Sequence, residues 1–269
     1  MTRFAADWLS LREGFDARAR NADVVKAVAA AFKGLPSLIV ADLACGTGAT
    51  RRALGTHLPQ PQHWRLYDND LSLLARAETP PAPAGSSIRT RPVDLMHDLE
   101  ATLDGGPDLI ATSALLDLVS QEWLERLVTE CAARNLPLYA TLTYTGEVTL
   151  DPVDRLDASI IAAVNRHQTS DKGFGPALGG AAAAELVRSC KSVGFSVVEG
   201  GSDWVIGVED REMQSAMLTQ WSQTAQEIGG IDTQDIAGWF ARRRALVARG
   251  VSTMRVGHRD VFARPATTR

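Results

Sequence analysis

Apolar positions along the chain fall into short continuous runs that alternate with stretches of helical spacing. Short apolar runs closed by turn residues mark buried strands, whereas apolar residues three and four apart mark one face of a helix. Residues 38–43 read as a first strand that runs into glycine-rich sequence, and 50–58 as a helix. A second strand, 64–67, ends at Asp68, and Asp70 is placed to N-cap a helix over 71–78. Residues 88–93 and 108–112 give a third and a fourth strand. Leu124, Leu127, Val128 and Cys131 repeat at helical spacing within 121–134, behind Ser120 as N-cap. A fifth strand covers 136–144, a helix closed by Gly194 covers 181–193, a sixth strand begins at 195–198, and 254–263 is a last strand just before Pro265. The Pro-Pro-Ala-Pro-Ala-Gly patch at 80–85 is a loop, because proline neither continues a helix nor donates to a sheet.

Alternating strands and helices predict an α/β fold, a doubly wound and mostly parallel sheet covered on both faces. Three segments stand outside that rhythm. Residues 4–33 hold one or two amphipathic helices, 145–180 form a long mixed connection, and 208–250 hold two helices at about 211–228 and 233–249. The expectation is a single domain over 1–269, with 1–35 as an N-terminal helical cap and 145–180 and 208–250 as insertions that cover a substrate. Plain packing of these segments against a sheet face is the competing expectation.

The net charge of −4 and a pI of about 5.8 give no basic footprint for phosphate backbones, so nucleic acid is not an expected partner. The densest basic run, Arg242-Arg243-Arg244, lies in a helical pattern and reads as a solvated face. No apolar stretch is long enough to span a bilayer, and Asp7 interrupts the N-terminus where a signal peptide needs apolar residues, so a cytoplasmic protein without membrane partner is expected. Cys45, Cys131 and Cys190 are far apart in sequence and read as buried thiols. No His/Cys/carboxylate cluster has metal-ligand spacing, so no metal is expected.

The first strand runs into Asp42-Leu43-Ala44-Cys45-Gly46-Thr47-Gly48. Small residues there allow a tight strand-to-helix turn and let the backbone approach a ligand, while the helix start presents free N–H groups. Asp68, 20 residues beyond Gly48 (68 − 48), stands where a carboxylate accepts hydrogen bonds from ribose hydroxyls. Asp94 ends the third strand, Ser113 the fourth, and Asp42 sits at the tip of the first. Three acids at one sheet edge are costly to bury without partners. A ligand with an amino acid end, a ribose and an adenine would supply those partners.

This constellation resembles the class I S-adenosylmethionine-dependent methyltransferases. The resemblance rests on the glycine motif, on Leu66-Tyr67-Asp68-Asn69-Asp70, on Pro92-Val93-Asp94-Leu95 and on Asp108-Leu109-Ile110-Ala111-Thr112-Ser113-Ala114-Leu115. It covers roughly residues 36–144 well and the rest by element order. It implies a Rossmann-like, seven-stranded sheet with the last strand antiparallel, and S-adenosyl-L-methionine as cofactor. It also implies cofactor roles for Asp42, Ala44, Gly46 and Gly48 near the methionine part, Asp68 on the ribose, Asn69, Asp94 and Leu95 at the adenine, Ser113 beneath the sulfonium, and Arg20 against the methionine carboxylate. The helical insert before the last strand and Ala44, where many members carry glycine, depart from the family pattern.

A sulfonium methyl is already activated, so the enzyme chiefly aligns a nucleophile behind it, with a general base where that nucleophile is a hydroxyl. His167, in the polar stretch Asn165-Arg166-His167-Gln168, and Tyr144, ending the fifth strand, are the catalytic candidates. Asp117, Lys172 and Arg12 are candidate substrate ligands. Trp8, Arg12 and Asp16 share one helical face, where the latter two form an exposed pair or, if that helix closes over the pocket, meet substrate. The reading is methyl transfer to an oxygen or nitrogen of a small molecule by a monomer or homodimer. A non-catalytic cofactor-binding protein and a nicotinamide-dependent oxidoreductase are the alternatives. The last is disfavoured because Arg51 stands at the third glycine position of G-x-G-x-x-G.

Overall fold

The computed structural model describes residues 6–266. Its strands are β1 (Leu38–Leu43), β2 (Gln62–Asp68), β3 (Ser87–Pro92), β4 (Leu109–Ser113), β5 (Leu138–Asp151), β6 (Phe195–Gly201), β7 (Trp204–Ile206) and β8 (Thr253–Pro265). They form one sheet in the order β3-β2-β1-β4-β5-β8-β6, with β7 pairing with β8 beyond the end of β6. β1 to β5 run parallel, and β8 runs antiparallel to its three neighbours. The seven expected strands are present. The eighth, β7, is three residues long and too short to show a periodicity.

The period-2 side-chain alternation of the central strands splits the core into two layers. Leu38 and Val40 of β1 join Leu109 and Ala111 of β4 on one face, with Val24, Val28 and Leu74 from the helices α2 (Ala22–Ala31) and α4 (Leu71–Ala77). Ala41, Leu43 and Ile110 face the other way, onto Leu124 and Leu127 of α6 (Gln121–Ala133) and Leu186 of α8 (Ala182–Ser192). A third cluster lies beyond the carboxyl ends of the parallel strands. It joins Tyr144 and Leu150 of β5, Trp204 of β7 and Met254 of β8 to Ile160 of α7 (Asp157–Gln168), Trp221 of α9 (Arg211–Ile228) and Trp239 of α10 (Thr233–Ala248). Among the described residues no helix is long and apolar enough to cross a membrane.

Several boundaries depart from the sequence reading for physical reasons. β5 does not stop at Tyr144 but continues to Asp151, because its outer half pairs with β8 from Val148 to Asp151. Two register shifts bend that pair. At the first, Leu142 is held at φ 54, and buried Asp260 accepts from the Leu142 N–H at 2.8 Å and the Thr141 hydroxyl at 2.8 Å. The helix expected over 50–58 is α3 (Ala49–Leu54) followed by a 3₁₀ turn. The segment 145–180 contains a full helix, α7.

The Arg242-Arg243-Arg244 run is not a uniformly solvated face. Arg243 is 0% exposed. Its guanidinium holds Asp157 through Nη2 and, at 3.0 Å, through Nε, and donates to the Pro152 carbonyl at 2.6 Å. Arg242 pairs with Asp154 at 2.6 Å. The run therefore clamps α10 to the start of α7.

Candidate active site

The turn between β1 and α3 is built by backbone that needs small residues. Ala44, Gly46 and Gly48 have φ of 52, 53 and 81. A Cβ on Gly48 would lie 2.9 Å from the Ala77 carbonyl oxygen and 3.3 Å from its Cα, so the turn and the end of α4 touch backbone to backbone. Arg51, at the third position of the spacing, is buried and donates to the carbonyls of Ala77 at 3.4 Å and Pro80 at 2.9 Å.

Asp68 anchors this loop from the tip of β2. Its Oδ2 accepts from the Gly46 N–H at 2.8 Å and its Oδ1 from the Asp70 N–H at 2.9 Å. Burial raises its pKa, and these backbone donors pull it back. The Asn69 N–H is a third backbone donor to it, and since a carboxylate has about four acceptor positions, about one remains for a ligand hydroxyl.

A cavity of about 240 Å³ opens between the glycine turn, the tips of β2 and β4, and α1 (Ala6–Ala19). Ala44, Gly46, Asp68, Asn69, Ser113, Arg12 and Lys172 stand on its wall, as expected residues brought together from distant sequence. A second cavity of about 160 Å³ gathers Arg12, Asp117, Tyr144, His167 and Lys172. Arg12, Ala114, Leu118 and Lys172 border both cavities, so the two chambers meet there.

The first helix closes over this junction. Arg12 and Asp16 do pair, at 3.0 Å, but are enclosed and not exposed, with side chains 12% and 8% accessible. The Arg12 guanidinium lies 5.0 Å from the Trp204 ring centroid, and Trp204 Nε1 donates to Asp16 at 3.0 Å.

Other expected residues stand off the cavity walls. Gly48 shapes the turn from behind. Asp94 is half-exposed and accepts from the Met96 N–H at 3.0 Å while facing His97 Nδ1 at 2.9 Å; the side-chain bond to His97 is the main cause of its lowered pKa. Leu95 is buried in the core beneath it. Asp42 is fully buried, and both its oxygens lack a hydrogen-bond partner among the described residues. Burial lifts its pKa to about 8 against the opposing charge of Arg20. Arg20 donates through Nη1 to Thr141 Oγ1 at 3.1 Å and Tyr139 Oη at 3.4 Å, and its Nε and Nη2 are unpartnered.

In the second cavity the two catalytic candidates are already engaged. Tyr144 Oη donates to Asn165 Oδ1 at 2.7 Å, and burial, with the Asp117 charge behind it, pushes its pKa up. The Lys172 ammonium lies 3.3 Å from both ring nitrogens of His167 and 2.8 Å from Ser170 Oγ. Burial first, then Lys172, lowers the His167 pKa.

Sequence reasoning did not place Thr47 and Thr50 in the first cavity, nor Trp204, Trp221, Met217 and His258 in the second. For Trp221 a signal existed: it sits in the 208–250 segment, outside the strand–helix rhythm, where an aromatic residue has no sheet face to cover.

No protein-family model and no curated protein matches the sequence. Solved structures do match the fold. A cyclopropane synthase from Mycobacterium tuberculosis superposes with a TM-score of 0.52 at 11% identity, over 97% of this chain and 95% of that one. A cyclopropane-fatty-acyl-phospholipid synthase-like protein from Lactobacillus casei gives 0.50 at 13% identity, over 96% and 94%. The YcgJ protein from Bacillus subtilis gives 0.50 at 10% identity, over 91% and 99%. The chain has the class I methyltransferase fold.

The residues of the first cavity fit S-adenosylmethionine, the cofactor that the sequence resemblance implies. Gly46 places no Cβ between backbone and ligand, Asp68 keeps an acceptor position, and Leu73, Leu115 and Phe174 give the wall apolar surface for a base.

Proposed function

We propose that this protein is an S-adenosylmethionine-dependent methyltransferase acting on an oxygen or nitrogen of a small molecule. The observation that carries the reading is the meeting of two chambers at Arg12, Ala114, Leu118 and Lys172, one built on the glycine turn and Asp68, the other enclosed by aromatic side chains. The cofactor, when bound, supplies an electrophilic methyl group. The chain holds the ribose through Asp68, positions the sulfonium end near Ser113, and excludes water with α1 laid across the junction. Holding the two reactants in line is worth about 7–11 kcal/mol of barrier. A nicotinamide reading is disfavoured by Arg51, whose buried side chain fills the space that reading requires as a third glycine.

Calorimetric titration with S-adenosylhomocysteine, with NAD in parallel, tests the reading. One-to-one binding of the first alone supports it, and binding of NAD alone overturns it. Binding of S-adenosylhomocysteine with no methyl transfer to any acceptor would assign the chain to non-catalytic cofactor binding.

A further inference from the structure

The second cavity has a size, a wall and a polar inventory that narrow the acceptor. Its volume of about 160 Å³ is close to the roughly 150 Å³ of an apolar cavity that takes up benzene. Trp8, Trp204, Trp221 and Met217 line it, and the Trp8 and Trp204 rings meet edge-on at 6.2 Å. Such walls pack a flat ring through its face and edges.

Two ionisable side chains in it offer a hydrogen-bond acceptor that no other side chain engages. His258 Nδ1 lies 3.0 Å from the Val256 carbonyl, which can only accept, so Nδ1 carries the proton and Nε2 the lone pair. Asp117 is 6% exposed, and neither of its oxygens bonds to a side chain among the described residues; Oδ1 has no partner at all. It sits in the turn that follows β4, next to Ala114 and Leu118 at the junction of the chambers. Of the two, Asp117 is the stronger base: burial raises it to about 6, whereas burial lowers His258 to about 4. Arg12 and Lys172 face the same space. Lys172 bonds to His167 and Ser170, with the Glu227 charge farther off. Arg12 is already paired with Asp16, which leaves Lys172 to favour an oxygen that turns anionic as its proton leaves.

Resting on the methyltransferase reading, we infer that the acceptor is a single-ring aromatic hydroxyl compound and that Asp117, not His167, takes its proton. The oxygen lone pair forms the new C–O bond as the methyl–sulfur bond breaks with its electron pair left on sulfur. The O–H proton passes to the Asp117 carboxylate, and Lys172 steadies the charge that develops on oxygen.

The test uses phenol and anisole, which differ only in the O–H, on the full chain. Binding is read by quenching of the wall tryptophans, with no cofactor present. A charge-assisted hydrogen bond predicts phenol bound at least about tenfold tighter than anisole. Asp117→Asn keeps the shape but cannot be ionised, and the preference should fall to within about twofold. Because Asp117 must be ionised to accept, the phenol preference should be present at pH 8 and fade below pH 6. Arg12, Tyr144, His167, Lys172 and His258 also face the cavity. Persistence of the pH effect in Asp117→Asn would therefore assign it to one of them and overturn the inference. Binding of neither ring, or an equal preference in both proteins, would also overturn it. Calorimetry with S-adenosylhomocysteine on the same samples reports separately on the cofactor reading and on the fold of the variant.

Discussion

The clamp between α10 and α7 gives the sharpest stability prediction. Arg243 has no solvent exposure, and Asp157, its partner, has a side chain 14% accessible. Asp157 also accepts from Trp239 Nε1 at 2.8 Å and from the Asp154 N–H at 2.7 Å. Replacing Arg243 by Met keeps the apolar stem but removes three donor contacts and leaves Asp157 charged without its paired cation. Breaking a buried pair in this way costs about 3–5 kcal/mol. At about 2–4 °C per kcal/mol for a chain of this size class, the melting temperature should fall by roughly 6–20 °C. The pair R243M/D157N removes both charges and keeps an acceptor for Trp239, so it should be less destabilised than R243M alone. No residue of α7 or α10 lines the first cavity, so S-adenosylhomocysteine affinity of folded R243M should stay within about twofold. Thermal denaturation and calorimetry check these outcomes. A loss in R243M of under about 1 kcal/mol, the size of an exposed pair, would refute the argument that this arginine is a structural clamp.

Three further outcomes are expected. Gly48→Ala forces a Cβ against the Ala77 carbonyl at a left-handed φ, which should destabilise by about 1–3 kcal/mol in denaturant titration. Asp68→Ala removes the carboxylate offered to ribose and should weaken S-adenosylhomocysteine binding at least tenfold, for a charged hydrogen bond worth about 1.5–3 kcal/mol; unchanged affinity in a folded variant would displace the ribose from Asp68. Asp42→Asn tests pH dependence. The folded pKa of Asp42 is raised, by burial above all, from 3.8 to about 8. The folded state therefore binds its proton more tightly than the unfolded chain, and stability is fullest below pH 4 and declines as pH rises toward 8. The variant should melt higher than the native protein at pH 8 and gain little at pH 4; a gain at pH 4 equal to that at pH 8 would contradict the assignment.

The parallel sheet was legible because each strand of it is a short apolar run with its own stop signal, and because Asp70 and Ser120 cap helices through local bonds, to the Ser72 N–H at 2.8 Å and the Trp123 N–H at 3.2 Å. Gly46, Gly48 and Asp68 were legible for the same reason: they act within one strand–turn–helix unit at a fixed spacing. The outer half of β5 was not, since Thr145 to Asp151 become a strand only by pairing with β8, about a hundred residues on. Arg243 looks like any basic residue in sequence, and only the approach of Asp157 and Pro152 makes it a buried one. The base assignment turns on the same difference. His167 is a histidine in a polar stretch, but the fold sets Lys172 against its ring, while Asp117, in an otherwise apolar turn, is carried by β4 to the boundary between two cavities. Hydrophobic period and turn chemistry are properties of neighbouring residues, so the element order, the parallel sheet and the tight glycine turn could be read along the chain. Burial, pairing and proton affinity depend on what arrives from elsewhere in the chain, so the clamp, the aromatic cavity and the acid or imidazole that keeps a free lone pair emerge with the folded packing alone.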